Sequence, residues 1–588
     1  MTAEALPQWN LNDLYSGPES DELKADLDAL EKKAIAFAAA FKGKIGEMDG
    51  HALGGAIAEY EDFSEIAGRI MSYAQLLFAG DMSNPDMGRF YQTMQEKITD
   101  IATHTLFFEL EINRLSEAEL KELLQAPETA KYGPWLRDIG VYREHQLSDE
   151  LEKLLLEKQV TGKASWVRLF EETMAELRFP VDGKDLTASE VFDKLSSKDR
   201  EVRKAAGLSI GKVLQDNVRT FSLITNTLAK DKEIEDRWRG FEKPVSSRNK
   251  SNLVEDEVVD ALTSSVKESY GDLSHRYYSL KAKWMGYGKL EFWDRNAPLP
   301  DDDDTRIPWS EAKERVLSAY GAFAPEMADI AKGFFDKRWI DAEPRAGKDS
   351  GAFSHPTVPS AHPYILMNYH GKTRDVMTLA HELGHGVHQV LAAEQGPLLS
   401  ETPLTLAETA SVFGEMLTFR GVIDGETDPK RRRVLLAGKV EDMLNTVVRQ
   451  VAFYEFERLV HDKRREGELS PDDLGDIWMQ VQNESLGEAF NFTDDYRTFW
   501  SYIPHFVHTP FYVYAYAFGD CLVNSLYDVF ADGHDGFQEK YLEMLRAGGT
   551  LRHKELLAPF GLDATDPSFW KRGLKVVSGF IDELEESL

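Results

Sequence analysis

Apolar residues recur every three or four positions along most of this chain, the spacing of helices that bury one face. Such patterns dominate the first 240 residues. Leu23 through Phe41 is one stretch, Leu151, Leu154 and Leu155 open another, and Val191, Phe192 and Leu195 precede a charged helix from Asp199. No fixed repeat length is visible, so a solenoid is not expected. Further on, Val376, Met377, Leu379, Ala380, Leu383, Val387 and Leu391 place apolar groups nearly all round a helix, as in one buried on every side. Thr373 is its expected N-cap, Asp375 favours its positive end, and Gly396-Pro397 is its stop. Leu404 to Glu415 reads as a second apolar helix. The short apolar run His362–Tyr369, flanked by turn residues, reads as a strand, with Pro363 marking its start or a sheet edge. The pattern predicts a mainly α chain with a small sheet, divided into an N-terminal helical region 1–200 and a second region 201–588.

Inside the expected buried helix stands His381-Glu382-Leu383-Gly384-His385. Histidines four residues apart lie one above the other on a helix face and can converge on one zinc ion. Glu382 sits a step around the helix, within reach of a water on the metal but not itself a ligand. Gly384 and Gly386 disfavour a helix by about 1 kcal/mol each, which suggests that something, such as substrate backbone, approaches closely there. Zinc takes three protein ligands and keeps one position open. Glu408 and Glu415, seven apart on the second apolar helix, are buried carboxylates in need of a strong partner. Glu408 is the expected third ligand, with Glu401 in a loop as its rival, and Glu415 an acceptor that orients a ligand histidine. His388, one turn beyond His385, is a candidate for supporting a ligand or touching substrate. Tyr369 and His370, at the end of the expected strand, are candidates of the same kind. His355 and His362 read as loop histidines.

Composition narrows the function class. A net charge of −33 argues against nucleic acid and anionic membranes as partners. A hydrophobic content of 42% is enough for a substantial core. The single cysteine, Cys521, allows no intramolecular disulfide and suits a reducing cytoplasm. Residues 1–20 show no secretory signal pattern, and no apolar run is long enough to span a membrane. The four aspartates at 301–304 read as a surface insertion, since their spacing is not that of an EF-hand.

Segment Asn368–His385 resembles the active-site stretch of the bacterial oligoendopeptidase F family, which is related to thimet oligopeptidase and neurolysin. Trp9–Tyr15, Ile503–Phe506, Phe511–Ala517, Gly548-Gly549 and Phe569-Trp570 resemble further stretches of that family in the same order. The resemblance implies a large helical two-lobed body with a deep central channel, a small sheet beside the zinc helix, one Zn²⁺ per chain and short unstructured peptides as substrates. It also implies that histidine and tyrosine near the C-terminus stabilise the oxyanion, a task suited to preorganised donors. His505, His508, Tyr512 and Tyr514 are the candidates, with their ranking open. A related carboxypeptidase and a non-catalytic peptide-binding protein are the alternative readings, and oligomeric state is not legible.

Overall fold

The computed structural model describes residues 5–159, 161–300 and 306–587, so the aspartate run at 301–304 lies outside the described residues. The fold is mainly helical, with three small sheets among the described residues. Two compact units divide the chain, each assembled from three stretches that alternate along it.

The first unit comprises Met1–Arg143, Asp304–Gly425 and Val529–Leu562. Its N-terminal helices begin where side chains accept the orphan N–H groups of a first turn: Ser20 for Asp21–Phe41, Asp49 for Gly50–Gly80, and Asn84 for Pro85–Ala102. Their apolar faces form a core with Leu30, Ala34, Ile70 and Leu76, which reaches Tyr364 in the sheet. The Trp9–Tyr15 segment serves this junction: Trp9 meets the Tyr364 ring edge-on, and the Tyr364 hydroxyl donates to the Asn10 carbonyl at 2.8 Å.

That sheet has three strands in the order Ile340–Asp341, Tyr364–Leu366, Phe353–His355. The first pair is parallel and the second antiparallel, with Ser354 opposite Ile365. The strand expected within 362–369 begins just after Pro363 at Tyr364, as one of the two readings of that proline has it. It is central rather than an edge, with both sides paired and all three residues buried. The edge beside the motif helix is Phe353–His355, whose Ser354 exchanges two hydrogen bonds with Gln389, at 2.8 and 3.0 Å. Its short, unalternating sequence gave no strand signal.

The motif helix, Thr373–Ala392, starts at the residue expected to cap it, so its cap lies one residue earlier than expected. Lys372 holds the cap position, and the Asp375 carboxylate accepts the backbone N–H groups of His370 and Lys372 at 2.8 and 2.9 Å. Gly396, at φ +83°, lies just past the helix and its 3-10 extension Ala393–Gln395. Val376, Leu379, Leu383 and Val387 are fully buried, each contributing ~1.5–3 kcal/mol. The second apolar run is broken at Glu408 into a turn, Leu404–Ala407, and the helix Thr409–Gly425.

The second unit comprises Glu144–Asp303, Glu426–Asp528 and Asp563–Leu588. Helices Val448–Glu466 and Pro471–Leu486 pack around Phe453, Phe456 and Trp478. A buried ion pair, Arg203 to Asp294 at 2.9 Å and reinforced by Arg200, ties Arg200–Asp216 to the segment at 294. Among the described residues no helix is long and apolar enough to cross a membrane.

Candidate metal centre

His381 and His385 lie one turn apart on the motif helix, and both present Nε2 to the same atom, Oε2 of Glu408, at 3.3 and 3.5 Å. The helix break explains how Glu408 gets there. Its backbone leaves the preceding turn at φ −76°, ψ −3°, and Ser411 Oγ donates to Oε2 at 2.8 Å. On the far side of His381, Nδ1 stands 3.4 Å from Glu415 Oε2, which fixes the ring so that Nε2 faces Glu408.

The helices are this close because glycine permits it. A Cβ on Gly384 would lie 2.6 Å from Ser411 Cα, and one on Gly386 would meet the ring of Phe334 at 2.5 Å. The close approach expected from these glycines is thus made by the protein's own backbone and a core aromatic, not by substrate. Tyr320, fully buried, donates its hydroxyl to the Ala380 carbonyl and lies over Gly414 of the second helix. Sequence patterning gave no hint of Tyr320.

One ligand atom each from His381, His385 and Glu408 lies within 4.8 Å of the others, a grouping able to hold a metal ion. Arms of ~2.0–2.2 Å in a tetrahedral site place ligand atoms ~3.3–3.6 Å apart. The observed 3.3 and 3.5 Å match that spacing and exceed the roughly 2.7–3.2 Å of ordinary N–H···O bonds. The donor set therefore fits zinc.

Electrostatics of the cluster run the same way. Burial acts to lower His381, but its contacts with Glu408 and Glu415 outweigh this and push it up to about 10. Burial would raise Glu408, yet its contact with His381 and the nearby His385 hold it down at about 2. His385 is lowered to about 4 by burial. Glu382 is buried and raised to about 7, mainly by desolvation, with Glu408 adding and His381 and the Ser354 backbone opposing. Such a carboxyl exchanges protons near neutrality.

The other sequence candidates fall around this centre. His388 is buried, with Nε2 3.3 Å from Thr402 Oγ1, and burial lowers it to about 4. It lines, with His385, Gln389, Trp339 and Glu401, a cavity of about 800 Å³. Glu401 is exposed and outside the metal-ligating group. Tyr369 is buried, its hydroxyl donating to the Ile307 carbonyl at 2.8 Å. His370 is exposed and gives its carbonyl to Arg306. His355 is on the edge strand with Nδ1 accepting from the Thr357 N–H, and His362 stacks on Trp339 and meets Asp13 at 2.9 Å.

In the second unit, His505, Tyr512 and Tyr516 come together. His505 Nε2 stands 3.4 Å from the Tyr516 hydroxyl, and the rings of His505 and Tyr512 are parallel to within 27°. His508 is directed instead toward Glu171, at 3.3 Å. Tyr514 is fully buried, its hydroxyl accepting from Asn252 Nδ2 at 2.8 Å. Tyr516, which is not among the sequence candidates, belongs to this group.

The chain matches the model of peptidase family M3 over residues 194–576 and that of oligopeptidase F over residues 111–179. Oligopeptidase PepF of Bacillus subtilis is 29% identical over 600 residues, which cover 100% of this chain and 88% of that protein. An oligoendopeptidase F homolog of Borreliella burgdorferi is 25% identical over 98% of both chains. The crystal structure of oligoendopeptidase-F from Enterococcus faecium shares the fold, with a TM-score of 0.70 at 23% identity over 96% of this chain and 97% of that one. With its metal-ligating cluster and a family match over most of its length, the chain belongs to peptidase family M3 and is a metalloendopeptidase.

Proposed function

We propose that this protein is a zinc peptidase that cuts short, unstructured oligopeptides in the cytoplasm. The observation that carries the reading is the convergence of His381 Nε2, His385 Nε2 and a Glu408 oxygen beside the buried carboxyl of Glu382. Two imidazoles and a carboxylate at these spacings are what zinc prefers. When bound, zinc supplies Lewis acidity, polarising a peptide carbonyl and making water acidic near neutral pH.

The chain's own residues do the rest. Glu382 accepts a proton from the attacking water and passes it to the nitrogen of the departing amine. Glu415 holds His381 by Nδ1 and keeps Nε2 turned to the ligand point. The resemblance in 503–517 supports a carbonyl-binding role for histidine and tyrosine there. His505 and Tyr512 are the proposed pair, because the Tyr514 hydroxyl is engaged in the core by Asn252 and His508 is turned to Glu171. Relatives named oligopeptidases support peptides as substrates. A lone cysteine and a net charge of −33 support a reducing compartment and argue against nucleic acid.

The test is mass spectrometry of a peptide-library digest with and without a zinc chelator, including peptides blocked at both ends. Cleavage inside blocked peptides, lost on chelation, is expected. Glu382→Gln should keep its zinc and lose ~10²–10⁴-fold in kcat. Turnover at the wild-type rate in that variant would remove Glu382 as the base.

A further inference from the structure

We propose that Glu457 and Arg248 are positioning residues that clamp the two ends of one peptide bond, Pro510–Phe511, and so set Tyr512 against His505. The inference rests on the reading of His505 and Tyr512 as carbonyl-binding groups.

The clamp is visible atom by atom. The Phe511 N–H donates to Glu457 Oε1 at 2.8 Å, and the Pro510 carbonyl accepts from Arg248 Nε at 3.3 Å. Both groups belong to the same planar peptide unit, so fixing its N–H and its C=O fixes its orientation. Orientation matters here because Phe511 sits at φ +60°, in the left-handed region that a non-glycine residue rarely occupies unless its surroundings impose it. Rotation of that peptide would redirect the chain at the residue immediately before Tyr512.

The helix Val448–Glu466 is shaped to impose it. Tyr454, Glu457 and His461 follow at helical spacing and share one face. The rings of Tyr454 and His461 flank Phe511 with centroids at 6.0 and 4.9 Å, while Glu457, between them, takes its N–H. Phe511 is fully buried and Glu457 only 2% exposed. Oε2 of Glu457 makes no hydrogen bond among the described residues, an unusual arrangement for a carboxyl inside a core. A buried acid with a single polar duty is expensive to keep, and here that duty is one backbone N–H. Burial pushes this carboxyl up to about 8, so the neutral amide of glutamine is a close stand-in.

Steady-state kinetics of the zinc-loaded full chain test the clamp. Glu457→Leu removes the acceptor and should lower kcat by at least about tenfold, with KM and zinc content near wild type, because small misplacements of catalytic groups are costly. Glu457→Gln keeps an acceptor oxygen and should restore kcat. A purely structural role would alter the folded fraction but not kcat per folded, zinc-loaded molecule. If Glu457→Leu does not fold, Arg248→Gln, at a partly exposed site, decides in its place: reduced kcat at unchanged KM supports the clamp, and wild-type kcat overturns it. Tyr512→Phe and His505→Ala run alongside. Wild-type kcat in both sinks the donor reading and the clamp with it, whereas reduced kcat there with wild-type kcat in Glu457→Leu overturns the clamp alone.

Discussion

Glu408 and Glu415 flank His381 and favour its protonated form, so a cation entering the cluster has to displace a proton. His381 lies up at about 10 and carries its proton throughout the neutral range. His385, at about 4, and Glu408, at about 2, are already in their ligand forms above pH 5. Glu382 rests near 7 and is driven to its anion by a neighbouring cation. The count follows directly: about two protons should leave per zinc bound at pH 5.5 and about one at pH 8.5, and zinc affinity should rise with pH across that window. Calorimetric titration in buffers of different ionisation enthalpy measures the number. A count of zero at pH 8.5 would mean that His381 is neutral in the free protein. One residue thus sets the resistance of the cluster to taking up a cation.

At the scale of elements, the site depends on how closely the motif helix and Thr409–Gly425 cross. Gly384 touches the backbone of the second helix at Ala410 and Ser411, where flexible side-chain ends are not available to give way. Gly384→Ala should therefore destabilise the protein by roughly 1–3 kcal/mol or more, through forced separation of the helices, despite alanine's better helix propensity. Zinc affinity should fall in parallel, since the same crossing carries Glu408 to the two histidines, and thermal unfolding with metal titration checks both effects. The helices and the grouping of His381, His385 and Glu408 were legible, because a 3.6-residue period, an i, i+4 histidine pair and a carboxylate in an apolar run are local facts. The strand order was not: Phe353–His355 is three residues long, and its partner 364–366 is central only because Ile340–Asp341 joins from outside the local sequence. Gly384 and Gly386 read as admitting a close approach, with substrate backbone as one candidate, because sequence shows the room and not its occupant. Tyr514 and Tyr512, two residues apart, look alike in sequence, yet Tyr514 is fully buried and Tyr512 only half-buried.

At the scale of the molecule, every residue of the metal cluster lies in one compact unit. Ligand binding stabilises a folded state by about 4 kcal/mol when the free ligand is at a thousand times its Kd. Hydrogen exchange on chelation should consequently show lost protection across 373–425, with Val448–Glu466 in the other unit unchanged; protection lost equally in both would show that the metal stabilises more than its own unit. That first unit is also completed by a stretch of chain remote from the motif helix. The Tyr541 hydroxyl donates at 2.9 Å to the carbonyl of Thr409, next to Glu408, and belongs to the last of the three stretches that build the unit. On a ribosome, on the order of ten seconds separate the emergence of His385 from that of Tyr541. A nascent chain carries its metal-ligating residues through that interval with the Glu408 junction still unsupported, so translation itself delays the arming of a peptide-cutting enzyme until Tyr541 has emerged.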